Sequence, residues 1–189
     1  MRNRLPDLGS TKLPPAELRD GELRLRPPSV EEASLYARWW GDAEVSFGFC
    51  SERRTAEAIR DAFPELEAEA RDIGHWIDFV IEVNGTPIGS IWLSHWDLDE
   101  ATCDLNILIG DPDYRSRGLA RRAIQLLCRW AFPKMELKRI FLCPREDHVP
   151  AIRCYESIGA TTTGIREEVV SWRGETVCFR EMYLEPEDV

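Results

Sequence analysis

No apolar run in this 189-residue chain approaches the roughly 20 residues that a helix needs to cross a bilayer, so neither a membrane anchor nor a membrane partner is expected. No CxxC pair and no Cys/His cluster offers metal-ligand spacing, so no metal is expected. Cys50, Cys103, Cys128, Cys143, Cys154 and Cys178 stand singly, mostly within apolar segments. That scatter excludes a disulfide scaffold and points to buried free thiols in the reducing cytoplasm. Met1 to Asp20 lacks the apolar core of a secretory signal. Its Leu13-Pro14-Pro15 and mixed charge read as a tail, or a strap over a single domain spanning 21–186. Neither an internal repeat nor a low-complexity segment is present. Basic residues are outnumbered, 24 against 34 acids, and the net charge of −10 argues against nucleic acid as a partner.

The shortage of basic residues is local. From Asp72 to Tyr114 there is no Lys or Arg, but there are nine acids. From Arg115 to Arg139 there are eight basic residues and one acid, Glu136. An acidic wall suits a cationic substrate and a basic wall suits a polyanion. Charge runs are usually solvated faces, so the asymmetry only supports such a reading.

The chain alternates as Glu22-Leu23-Arg24-Leu25-Arg26, a first strand stopped by Pro27-Pro28. Ser29 reads as an N-cap for a helix to about Trp40. A second helix is predicted from about Thr55 to Ala70, with Pro64 kinking or splitting it. His75 to Val83, Pro87 to Trp96 and Ala101 to Ile109 form a meander, turned by Asn84-Gly85 and Leu98-Asp99-Glu100. In its third strand Asp104, Asn106 and Leu108 face one way; Cys103, Leu105, Ile107 and Ile109 face the other. A helix through Ala123 to Phe132, a strand at Lys138 to Cys143 and a short helix from Pro150 to Ile158 follow. Two strands, Thr161 to Trp172 and Glu175 to Leu184, close the chain. The order β-α-α-β-β-β-α-β-α-β-β describes an α/β domain with a mixed seven-stranded sheet flanked by helices.

Between the apolar strand ending at Ile109 and the following helix lies Arg115-Ser116-Arg117-Gly118-Leu119-Ala120. Gly118 lets backbone amides approach a ligand, and the new helix points unpaired N–H groups outward. This reads as an anion site, with phosphate the expected ligand.

Arg115-x-x-Gly118-x-Ala120, with Ala151-Ile152-Arg153-Cys154-Tyr155-Glu156-Ser157-Ile158-Gly159 after it, resembles the GNAT superfamily of acyl-CoA-dependent N-acetyltransferases from about Leu23 to Leu184. Two departures stand out: His148 replaces the usual Asn beside the pantetheine arm, and Ala160 replaces the usual Phe. The resemblance implies acetyl-CoA as co-substrate. It implies that Arg117, Gly118, Leu119 and Ala120 meet its pyrophosphate, with charge from Arg115 and Arg122. It further implies that Ile107 and Ile109 lie on the strand pairing with pantetheine, and that His148 lies beside it. Tyr155 would be the acid that protonates the departing thiolate. Asp104 is the first candidate for the base, with Glu100 and Asp99 as alternatives, or water in between. Trp40 and the acids Asp97, Asp99 and Glu100 would meet the substrate by cation–π and ionic contacts.

The expected function is acetyl transfer to a primary amine of a small cationic acceptor. The Ala151 to Glu156 run is similar to aminoglycoside 6′-N-acetyltransferases, which would make the protein an antibiotic-resistance enzyme. The opening strand and helix are equally similar to spermidine and ribosomal-protein N-terminal acetyltransferases. A protein N-terminal acceptor and a non-catalytic acyl-CoA-binding module therefore stay open. A monomer or a homodimer is compatible with such a fold.

Overall fold

The computed structural model describes residues 17–50, 57–59, 61, 76–97, 99–170 and 174–189. Strands β1 (Leu18–Asp20), β2 (Leu23–Arg26), β3 (Trp76–Val83), β4 (Thr86–Asp97), β5 (Thr102–Ile109), β6 (Arg139–Leu142), β7 (Thr161–Val170) and β8 (Glu175–Leu184) form one sheet. Its order is β1-β2-β3-β4-β5-β6-β8-β7. All neighbours are antiparallel except β5 and β6. Among the described residues the sheet has eight strands, not seven. The extra one is β1, a three-residue edge strand inside the segment read as a tail. Three residues are too few to show alternation, which is why the sequence does not announce it.

Helices cover both faces. On one, α3 (Leu119–Met135) sets Leu119, Ala123, Ile124, Leu127, Cys128 and Ala131 against Leu23, Phe79, Ile91 and Leu105. On the other, α1 (Ala33–Trp40) and α2 (Ala43–Gly48) pack Tyr36, Trp39 and Val45 against Val80 and Leu108. Leu105 and Leu108 thus fall on opposite faces, as alternation along β5 requires. Ser29 caps a 3-10 turn, Val30–Glu32, through a capping box with Glu32. Helix α2 was not foreseen; Asp42 caps it by accepting the Glu44 and Val45 N–H groups. The predicted helix from Thr55 to Ala70 lies almost wholly outside the described residues, of which 57–59 and 61 are helical.

Gly110 ends β5 beneath the fully buried Trp39. A Cβ there would sit 2.0 Å from the indole, so only glycine lets the strand end pass under α1. Helix α4 (Val149–Glu156) starts one residue before the predicted Pro150 and is capped by His148 Nδ1, which accepts the Ala151 N–H at 3.1 Å.

Candidate active site

Strands β5 and β6 are paired only at Thr102↔Arg139, Cys103↔Ile140 and Asp104↔Phe141. Beyond Asp104 they part. Strand β6 stays with β8 through Leu142↔Met182, while β5 runs on to Ile109 beside β4 alone. The gap is a cleft of about 540 Å³. One wall is Leu105 to Ile109; the other is Cys143, Pro144, Arg145 and Phe179. Helix α4 contributes Ala151, Cys154 and Tyr155, and α2 contributes Glu44, Val45 and Gly48. The volume fits a small-molecule site. The five-residue edge of β5, about 17 Å long, leaves backbone groups for an extended amide-bearing ligand.

The anion loop closes one end. Ser116 and Gly118 both take positive φ, 58° and 74°, and Gly118 is the N-cap of the 17-residue α3, with no side chain capping it. A Cβ on Gly118 would meet nothing within 4 Å, so the glycine serves backbone conformation and not space. Amides at this helix start are aimed outward beside Ser116 and Ala120, which line the cleft. These features fit a pyrophosphate.

The arginines divide differently from the sequence reading. The Arg115 guanidinium is spent inside the fold. Its Nε donates to the Ile109 carbonyl at 2.9 Å, and its terminal nitrogens reach Glu44 at 2.7 Å and Asp42 at 2.9 Å. It lines the cleft as a strut that ties the end of β5 to α2. Arg122 is drawn the other way, to Asp20 at 3.0 Å, the Asp20 carbonyl at 2.8 Å and Glu22 at 2.5 Å. It holds the β1–β2 hairpin and is not on the cleft wall. Arg117 is exposed and lies over the Tyr114 ring. Arg121, not singled out in the sequence, is also exposed; burial pushes the cleft-lining Cys154 thiol up, and the Arg121 charge acts against that rise.

Tyr155 is 9% exposed and lines the cleft. Burial, with the Cys154 and Cys143 thiols beside it, pushes its phenol well above the usual value, so it keeps its proton at neutral pH. The expectation of buried thiols holds for Cys103 and Cys128, but Cys143 is exposed and, like Cys154, lines the cleft. The His148 ring stacks on Phe47 at 6.0 Å and also lines the cleft. Ile107 and Ile109 lie on the open edge of β5.

Asp104 stands where the strands part, and burial raises its carboxyl above the ordinary range. Its partner is His95, which the sequence reading passed over: Nδ1 is 3.1 Å from Asp104 Oδ2. Asp97, Asp99 and Glu100 are not brought to this site. They occupy the β4–β5 turn at the paired end of the strands, off the cleft wall, where the Asp97 carboxylate accepts the Asp99 and Glu100 N–H groups. The acidic run disperses in the same way: Glu82 binds Arg24 and Arg26, Asp78 binds Ser90, and Asp111 caps a turn. Trp40 belongs to an aromatic trio with Phe49 and Trp92, centroids 5.1 to 6.2 Å apart, of which Phe49 reaches the cleft.

Residues 22–161 match the Acetyltransferase (GNAT) domain family. The spermidine N(1)-acetyltransferase of Escherichia coli K12 is 26% identical over 160 residues, covering 85% of this chain and 77% of that protein. A probable acetyltransferase of known structure superposes with a TM-score of 0.81 at 16% identity, over 92% of this chain and 98% of the other. The spermidine N-acetyltransferase from Vibrio cholerae, solved with CoA and spermine, gives 0.77 at 19% identity, over 89% and 98%. With its parted central strands, its glycine-led helix start and a family match over most of its length, the chain belongs to the GNAT family and is an acetyl-CoA-dependent N-acetyltransferase.

Proposed function

We infer that the acceptor is a small cationic amine of the polyamine or aminoglycoside type, acetylated by direct attack in the cleft between β5 and β6. The observation that carries this is the parting of β5 from β6 at Asp104, which sets an acid–histidine pair at the head of a cleft lined by Tyr155. The likeness to a spermidine acetyltransferase over 85% of the chain supports a polyamine first.

Each residue's part follows from its surroundings. Bound acetyl-CoA supplies an acetyl thioester. The N–H groups from Arg117 to Ala120 hold its pyrophosphate, with Arg117 and Arg121 as the charged partners in place of Arg115 and Arg122. The β5 edge at Ile107 and Ile109 binds and straightens the pantetheine arm, beside His148. Tyr155 keeps its proton until the thiolate departs and donates it there. The Asp104–His95 pair takes up the ammonium's proton. Glu168, on the cleft wall, and Phe49 face the remaining positive charges of the acceptor.

A thiol-release assay with acetyl-CoA against spermidine, spermine, aminoglycosides and N-terminal peptides tests this. Turnover is expected on a polyamine or an aminoglycoside. Tyr155→Phe should lower kcat about 100-fold while CoA affinity stays within about two-fold. Turnover on peptides alone would overturn the small-acceptor reading, and an unchanged rate in Tyr155→Phe would remove its acid role.

A further inference from the structure

Strand β4 does not end regularly. Its register with β5 jumps from Ser94↔Asp104 to Asp97↔Thr102, and His95, inside the jump, takes a φ of 51°. Such a bulge re-aims one side chain at the cost of a left-handed backbone conformation. Here it lays the His95 ring against Asp104. Nδ1 is 3.1 Å from Asp104 Oδ2 and 3.2 Å from Ser94 Oγ, and Ser94 Oγ in turn accepts from Asn106 Nδ2 at 3.4 Å. An ionised carboxylate can only accept, so Nδ1 is the donor and the lone pair of the neutral ring lies on Nε2. His95 is on the wall of the cleft and Asp104 is not.

We propose that His95 Nε2 is the general base that takes the proton of the acceptor ammonium, and that Asp104 is a positioning residue that fixes the ring's tautomer and steadies the imidazolium. This rests on the amine-acetylation reading above. One N–H bond of the ammonium breaks, its electron pair stays on nitrogen as the nucleophile, and the proton passes to Nε2. One positive charge thereby moves from the amine to a ring held beside a carboxylate. The second proton lost as the amide forms balances the one the thiolate gains, so each acetyl transfer releases one proton to solvent. His95 is 79% exposed on its side chain and can return that proton directly.

The other groups facing the pair agree with this division. Arg166 of β7 acts on the Asp104 carboxyl through space and favours its ionised form. Arg166 is itself 3.5 Å from Glu181 of β8 and pairs with Glu168. The Cys143 residue just beyond β6 is exposed, yet desolvation around its sulfur pushes the thiol up, and the Asp104 charge pushes it the same way. Among these, His95 alone is hydrogen-bonded to the Asp104 carboxylate and also borders the cleft at that point.

The chain has three histidines, His75, His95 and His148, so each ring can be followed by side-chain nitrogen NMR on the full-length protein, with His95→Gln assigning the signal. The neutral His95 ring is expected to carry its proton on Nδ1. Asp104→Asn should weaken that preference for Nδ1–H, because an amide can donate as well as accept. In turnover, His95→Gln should lose about 100-fold in kcat at neutral pH together with the acid limb of the pH–rate profile, with the KM for acetyl-CoA within about two-fold. Asp104→Asn should keep that limb and lower kcat less than His95→Gln does. A proton on Nε2, a tautomer preference unchanged by Asp104→Asn, or a wild-type rate in His95→Gln overturns the proposal. A wild-type protein that acetylates no amine overturns the underlying reading instead, and the NMR result still decides whether Asp104 sets the ring.

Discussion

Asp78 is a carboxyl set into the face that α1 covers. Ser90 Oγ donates to it at 2.7 Å and the Tyr36 hydroxyl also bonds it, yet burial dominates and pushes its pKa up to about 6 from 3.8. The sign follows from linkage. Between those values the unfolded chain gives up this proton and the folded chain keeps it, so the folded state is disfavoured as pH rises. By neutral pH the penalty is about 3 kcal/mol. Glu82 behaves oppositely: Arg24 and Arg26 hold its carboxyl below the usual range, so its contribution is present above pH 4.5 and is lost on acidification. A melt of the wild type alone sums both effects. The difference between wild type and Asp78→Asn isolates the first. That difference should move in favour of the variant by several degrees in Tm between pH 4.5 and pH 7.5. Parallel pH profiles would mean that Asp78 is as well solvated folded as unfolded.

At the scale of the element, α3 separates two arginines that the sequence presents side by side. Consecutive helical residues point about 100° apart. Arg122 therefore meets Asp20 and Glu22 on the β1–β2 hairpin, while Arg121 is left exposed with its charge felt by Cys154. Arg121→Ala should raise the Kd for CoA about ten-fold or more, the loss of one charge-assisted contact. Arg122→Ala should leave that Kd within about two-fold and lower Tm slightly, as the hairpin loosens. Calorimetric titration of both variants checks this, and the reverse ranking would restore the sequence's first choice. The example also marks what the sequence can carry. The helix itself was legible because its apolar residues repeat every three or four positions, and the Gly118 loop because glycine before a helix has few other uses. The aim of Arg115 and Arg122 was not, since charge in a sequence has no direction until distant acids such as Asp42 and Asp20 are folded beside it. Tyr155 stands out in the sequence because a motif marks it, and the fold places it on the cleft wall. The contact of His95 with Asp104 is not legible in the sequence, because it depends on a bulge in which Ser94-His95-Trp96 shows no Gly, Pro, Asn or Asp.

For the whole molecule, charge matters through its sum more than through its runs. The described acids from Asp78 to Asp113 do not gather into one wall; Glu82, Asp97 and Asp111 are engaged in pairs and caps. Yet 34 acids against 24 basic residues leave a net charge of −10, and a field of that sign extends well beyond any one contact. A polyamine or aminoglycoside carries several positive charges and is drawn to it from a distance. The screening length shrinks from about 30 Å at 0.01 M salt to about 8 Å at 0.15 M. The KM for a cationic acceptor should therefore rise several-fold over that range, while kcat, set by groups already in contact, stays within about two-fold. The KM for acetyl-CoA should not rise in parallel, because the body's charge repels that anion and salt relieves the repulsion as it weakens the local attraction proposed for Arg117 and Arg121. Initial rates at four or five salt concentrations, varying each substrate in turn, separate the two responses. An acceptor KM that ignores salt would mean that capture depends on close contacts alone, and that the surplus of acids serves some purpose other than drawing the substrate in.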